Sequence, residues 1–253
     1  MKNNKHIAMW SCPRSRSTAM PRAFEQLDEC MVFDEPLFGA YLVKRGLDQP
    51  CEEREVGQYL ETNHEKVIQK ITGSLPEGVS FSFQKHQSKH ALPEFGRNWL
   101  KSLNNFFLIR NPKEIILSYH KLYKKKLTMD HIGIEYHYNL FREIELLIGK
   151  KAVVIDSIDI VNNTRKVLLF LCSEFQIKFS EKMLNWEVNP KASKLLQIEK
   201  SPYSRGWYSN VLGSRVFINK QQDLDFPEEL NPLLEACMPY YNKLSQYRVT
   251  FNG

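Results

Sequence analysis

The chain has 253 residues, 42% hydrophobic and 25% charged, an ordinary globular composition long enough to bury a sizeable core. Lys and Arg total 35 against 29 Asp and Glu, and the resulting +6 suits an anionic ligand but falls well short of a nucleic-acid footprint. No run of about 18 apolar residues is present, and the N-terminal stretch meets a turn signal at Cys12-Pro13 before a signal-peptide core forms, so a cytoplasmic protein without a membrane partner is expected. Cys12, Cys30, Cys51, Cys172 and Cys237 lack C-x-x-C spacing, which argues against both a zinc site and a disulfide framework and predicts free thiols.

In chain order, His6 to Trp10 reads as a short buried strand broken by Pro13. A polar Ser/Arg loop follows, and an amphipathic helix from Thr18 to Leu27 carries Pro21 near its start, where a missing N–H costs little. Met31-Val32-Phe33 is a second strand ending at Asp34-Glu35-Pro36, expected to lie beside the first. Leu37 to Lys44 then looks helical, and Gly46 to Thr72 is polar and helix-prone. Phe81-Ser82-Phe83 alternates like a strand and runs into the polar segment Gln84 to His90. Asn105 to Ile109 is a strong strand, after which Asn111-Pro112-Lys113-Glu114 supplies an N-cap, Pro at N1 and a capping-box Glu at N3. Ala152 to Ile155 reads as the last central strand, and Val167, Leu168, Leu171 and Phe175 recur at helical spacing within 162–175. Strands alternating with helices imply an α/β fold with a parallel sheet.

Two places in this pattern suit anions. The loop Pro13-Arg14-Ser15-Arg16-Ser17-Thr18 leaves a strand and opens a helix, so backbone N–H groups, two guanidiniums and three hydroxyls can surround one phosphate or sulfate. The Walker A pattern is absent, since no glycine supplies positive φ and no lysine precedes Ser17, which disfavours nucleoside triphosphate hydrolysis. Arg110 stands at the end of a later strand with Ser118 two helical turns beyond the Asn111 cap, a pair able to grip a second anionic group.

With these residues on the page, the chain resembles the sulfotransferase family, whose phosphosulfate loop follows the first strand and whose 3'-phosphate site is an Arg-x-Pro-…-Ser motif. The nearest likeness is to the bacterial subgroup with a Pro-Arg-Ser-Arg-Ser-Thr loop. It continues through Asp34-Glu35-Pro36-Leu37, Val154-Ile155-Asp156, Leu169 to Phe175, Met183 to Trp186, Trp207 to Val211 and Ser214 to Phe217. The resemblance implies one sulfotransferase domain over 1–253 with the three-layer, P-loop NTPase-like fold of that family. It also implies 3'-phosphoadenosine-5'-phosphosulfate (PAPS) as donor, 3',5'-ADP as product and no metal. Arg14, Ser15, Arg16, Ser17, Thr18, Arg110 and Ser118 would bind the donor, with Arg14 also acting in catalysis. Arg16 replaces the family's common loop glycine, and the Arg-Lys-Gly signature of eukaryotic cytosolic members is missing; Arg205 or Arg215 is a substitute for the 3'-phosphate.

Sulfuryl transfer needs in-line placement, charge stabilisation and a base for the incoming hydroxyl. Glu35 matches a carbohydrate-sulfating branch, and His90 or His86 matches the lysine-histidine region of many members, so the base stays open between them. The expected acceptor is a small alcohol, with a role in tailoring secondary metabolites, including cyanobacterial natural products, as the subgroup suggests. Two rival readings are a P-loop phosphotransferase with Mg2+ held by an acid such as Asp156, and an RNA-binding module around Tyr119 to Lys124.

Overall fold

The computed structural model describes residues 5–46, 52–122, 126–187, 202–203, 213–217 and 225–251. Five strands, β1 (Lys5–Ser11), β2 (Cys30–Asp34), β3 (Phe81–Gln87), β4 (Asn104–Ile109) and β5 (Val153–Asp156), form one sheet in the order β2-β3-β1-β4-β5. All pairings are parallel, with Val32 opposite Phe83, Ile7 opposite Phe83, Met9 opposite Phe106 and Leu108 opposite Ile155.

Residue alternation along the strands explains the layers. Ile7, Met9, Phe83, Phe106, Leu108 and Ile155 point to one buried face, while Ala8, Trp10, Phe107, Ile109 and Val154 point to the other. A sheet apolar on both sides must be covered twice. The first face is covered by α1 (Ala19–Phe24) and α9 (Thr164–Glu174), through Met20, Phe24, Leu168 and Leu171. The second is covered by α2 (Phe38–Arg45), α4 (His64–Thr72), α7 (Ile134–Ile148) and α10 (Asn231–Ser245), through Leu42, Ile71, Phe141 and Leu244. Each such side chain contributes about 1.5–3 kcal/mol by leaving water. The result is the parallel α/β architecture that the alternating pattern implied, in the three layers that the resemblance implied. Short helices α3 (Glu53–Val56), α6 (Met129–Ile132) and α8 (Ser157–Asn162) complete the covering.

Two sequence expectations about strand position are corrected. The second strand does not lie beside the first, because β3 is inserted between them. β5 is the outermost strand at its side of the described sheet rather than a central one, and its edge is met by the chain end, where Val249 N–H donates to the Val154 carbonyl at 2.9 Å. Cys12, Cys30, Cys172 and Cys237 are buried free thiols; Cys51 lies outside the described residues. No helix among the described residues is long and apolar enough to cross a membrane.

Candidate active site

In parallel sheets of this kind the strand C-termini face a common crevice, and here the polar residues collect there. The loop after β1 reaches α1 through an alternating turn in which Arg14 (φ 59°) and Arg16 (φ 63°) take the left-handed conformation themselves. The sequence reading tied positive φ to glycine; these arginines adopt it at roughly 1–2 kcal/mol each. Ser15 is fully buried and its hydroxyl donates to the Cys12 carbonyl at 2.7 Å, closing the turn from inside. Its hydroxyl therefore braces the loop instead of facing an anion, so the expected set of three hydroxyls reduces to Ser17 and Thr18, which line the pocket.

The second anion element docks directly onto this loop. Arg14 Nε donates to Ser118 Oγ at 3.0 Å, and Arg110 Nη1 donates to the Arg14 carbonyl at 2.5 Å. Helix α5 (Pro112–His120) begins as expected, with the Asn111 side chain accepting from Lys113 N–H at 2.9 Å and Pro112 in the first turn. The capping box is not formed. Glu114 turns instead to the arginines, its Oε2 accepting from Arg110 Nε (3.0 Å), Arg110 Nη2 (2.7 Å) and Arg16 Nη2 (3.0 Å), because charge-assisted pairing outcompetes a neutral backbone donor. Burial lowers the pKa of Arg14 and of Arg110, and Arg16 lowers that of Arg110 further. An anion placed there would relieve both effects.

Opposite the loop, β2 and β3 end in a buried charge cluster. Lys85 pairs with Asp34 at 3.0 Å and with Glu35, whose Oε1 also accepts from Gln87 Nε2 at 2.9 Å. Glu35 holds a left-handed φ of 45°, fixed by hydrogen bonds from its N–H to the Lys85 carbonyl and from Phe38 N–H to its own carbonyl. Burial would raise the Glu35 pKa, but Lys85, His90 and the two donated hydrogen bonds outweigh it and hold the carboxyl at about 2. His90 Nδ1 stands 3.8 Å from Glu35 Oε2, and the ring lies between Phe38 and Tyr41, with centroids at 5.0 and 4.6 Å. Burial keeps His90 neutral, with a pKa lowered to about 3 against the opposing pull of Glu35. Loop and cluster face each other across an open cavity of about 120 Å³, lined by Arg14, Ser17, Thr18, Glu35, Lys85, Lys89 and His90 among others.

A sulfotransferase-domain profile matches residues 5–248. The chain belongs to the sulfotransferase-domain family. Two Arabidopsis thaliana proteins, branched-chain-amino-acid aminotransferase-like proteins 2 and 1, are each 30% identical to it, over 94% and 95% of this chain but 41% and 42% of their own lengths. The chain thus spans about two fifths of the curated relatives it matches. Among solved structures, the sulfotransferase domain from the curacin biosynthetic pathway aligns at a TM-score of 0.53 with 13% identity, covering 98% of this chain and 99% of that one. The sulfotransferase from Alicyclobacillus acidocaldarius aligns at 0.52 with 9% identity, covering 96% and 97%. At these identities the two structures speak for the fold alone.

Within this sulfotransferase domain, the residues singled out in the sequence fall into three groups. Arg14, Ser17, Thr18, Glu35 and His90 line the cavity, while Arg16, Arg110 and Ser118 adjoin it through the contacts above. His86 does not line it. It stacks on Trp10 at 4.4 Å and meets Gln84 Oε1 at 3.1 Å, so it belongs to the core. Arg215 is exposed, and its carbonyl accepts from Trp186 N–H at 3.0 Å; Arg205 and Trp207 to Val211 lie outside the described residues. Asp156 caps α8 through Ile158 N–H at 3.0 Å and accepts from Tyr241 Oη at 2.8 Å, which makes it structural.

Lys85, Gln87, Lys89, Phe38 and Tyr41 line the site and were not assigned to it from sequence. Lys85 stands in a mostly polar run, so nothing in the sequence marked it as buried; once β3 is buried on both sides, a lysine there must be paired, and Asp34-Glu35 at the end of the neighbouring strand supplies the partners. Nothing in spacing alone marks Phe38 or Tyr41 as pocket residues rather than core.

Proposed function

We propose that this sulfotransferase domain moves the sulfuryl group of PAPS to a hydroxyl of a small acceptor and releases 3',5'-ADP. The observation that carries the reading is the direct coupling of two cationic anion-holding places, the 13–18 loop and the Arg110–Ser118 pair, which suits a small nucleotide bearing two separated anionic groups. Arg16 Nη1 adds to the fit, being buried without a hydrogen-bond partner among the described residues, a donor that an anionic oxygen would satisfy.

Bound there, the donor supplies an activated sulfuryl group on a good leaving group. The chain's part is to hold, neutralise and accept a proton. N–H groups of residues 14–18 and the Ser17 and Thr18 hydroxyls hold the 5' end, Arg14 offsets charge growing on the bridging oxygen, and Arg110 with Ser118 holds the 3'-phosphate. Glu35 and His90 act on the acceptor proton as a pair. Neither is a strong base at the pKa its surroundings impose, so the proton is taken as it is released in the transition state; the Glu35 carboxylate lessens, without cancelling, the cost that burial places on an imidazolium at His90. Phe38, Tyr41 and Tyr119 on the cavity wall suit a small organic alcohol, and a secondary metabolite is the acceptor class we assign. The buried free thiols fit a reducing compartment, so we place the reaction in the cytoplasm. Against the phosphotransferase alternative, Asp156 caps α8 and accepts from Tyr241 Oη, contacts that favour a structural role for it.

Calorimetric titration with 3',5'-ADP and 5'-AMP tests the donor assignment. Charge-assisted hydrogen bonds to the 3'-phosphate contribute roughly 1.5–3 kcal/mol each, so 3',5'-ADP should bind at least tenfold more tightly, on the order of one such bond. Arg110→Ala should abolish most of that preference. Equal affinities for the two nucleotides would overturn the reading.

A further inference from the structure

Among the described residues, Glu114 is the carboxylate that pairs with the arginines of the site, and the reaction has no step for it. One of its oxygens receives three donated hydrogen bonds, two from Arg110 and one from Arg16. Through Nε and Nη2 it occupies one of the paired-donor edges with which a guanidinium grips an oxyanion. Arg110 Nη1 is engaged by the Arg14 carbonyl, and Arg14 Nε is engaged by Ser118. Apart from Arg16 Nη1, the donors named here are thus satisfied from within the fold, and three of them by a carboxylate, a group of the same charge sign as phosphate.

We propose that Glu114 is a built-in competitor of the 3'-phosphate: it holds Arg16 and Arg110 together, yields their donors to an incoming phosphate and reclaims them on release, so it limits how tightly the product is retained. The proposal rests on the assignment of Arg110 and Ser118 to the 3'-phosphate. Its physical basis is that two guanidiniums this close repel, as the effect of Arg16 on Arg110 indicates, and a partly exposed carboxylate offsets the repulsion at low cost while remaining displaceable. A fully buried carboxylate, such as Glu35, could not serve in this way. Glu114 is therefore a specificity and release residue, acting through the arginines rather than on the reacting atoms.

The test is the affinity of wild type, Glu114→Gln and Glu114→Asp for 3',5'-ADP and for 5'-AMP, with thermal unfolding as a check of the fold. Gln keeps an acceptor but removes the competing charge. It should tighten 3',5'-ADP about tenfold, change 5'-AMP less than about threefold, and slow 3',5'-ADP dissociation in stopped flow. Asp retains the charge and should stay within about threefold of wild type for both nucleotides. Unchanged or weaker 3',5'-ADP binding by a folded Glu114→Gln protein overturns the proposal, as does equal tightening of both nucleotides, which would mean a general charge effect. If wild type itself fails to prefer 3',5'-ADP over 5'-AMP, the donor assignment fails instead, and the two failures are told apart by that control.

Discussion

Replacing Glu35 by Gln should change how stability depends on pH as well as how fast the reaction runs. In the folded protein its carboxyl is held at about 2, against an ordinary 4.5, by Lys85, His90 and the bonds from Lys85 and Gln87 working against burial. A depressed carboxylate pKa contributes stability that is complete above the unfolded value and is lost as pH falls through the folded one. At about 1.4 kcal/mol for each tenfold change in the protonation equilibrium, the full contribution is about 3 kcal/mol, and about 2 kcal/mol of it is lost between pH 6 and pH 3. Urea unfolding of wild type and Glu35→Gln, followed by tryptophan fluorescence at each pH, should show the stability gap between them narrowing by that amount. Groups that do not interact with Glu35 cancel in the difference, which leaves the coupling of Glu35 to Lys85 and His90. A gap constant to within about 0.5 kcal/mol, the additivity tolerance for independent sites, would refute the account of Lys85 as the group that keeps Glu35 ionised.

Lys85→Met removes the cation shared by Asp34 and Glu35 and should destabilise the protein by about 3–5 kcal/mol near neutral pH, less in acid; equilibrium unfolding measures it. In single-turnover assays with PAPS, both Glu35→Gln and His90→Asn should lower the chemical step by roughly 10²–10⁴, with little change in 3',5'-ADP affinity; full activity of either variant breaks the proposed pair. Arg16→Gly should cost nothing in stability and gain up to about 1 kcal/mol, because relief of the left-handed backbone exceeds loss of a partly exposed ion pair, yet it should weaken 3',5'-ADP binding. Turnover with PAPS should survive chelation by EDTA; loss restored by Mg2+ would support the phosphotransferase reading.

Four of the strand-forming runs were legible because they are mainly apolar and bounded by turn residues, whereas β3 was legible only over Phe81-Ser82-Phe83 because Gln84 to Gln87 are polar, and Asn111-Pro112 announced α5 by capping chemistry alone. Strand order was not legible, since nothing local in 81–87 states that it pairs on both sides. Helix α7 went unread although Ile134, His137, Leu140, Phe141 and Ile144 recur at helical spacing; the histidine within the stripe masked the period. Both anion elements could be read from residue type and position, but how they meet could not. Arg14 reaches Ser118 across 104 positions in the chain, and Glu114 leaves its own helix cap for an arginine 98 positions away. The inward turn of the Ser15 hydroxyl was not legible for a related reason, because alternation along a left-handed turn does not follow strand or helix rules.

The insertion of β3 between β1 and β2 sets a length. Neighbouring strands stand about 4.8 Å apart, so the phosphosulfate loop and the Glu35 strand end are separated by roughly 10 Å, two sheet spacings. Had the two strands been adjacent, a carboxylate and an anion cradle would have faced each other at a single spacing, with no room for both a transferring group and the atom that receives it. On the proposed function, the sheet would act as a ruler setting the distance between donor and base. On that reading, because the backbone ladder fixes the width, substitutions in α2 and the segment after β3 would reshape the cavity wall without changing the spacing between the loop and Glu35.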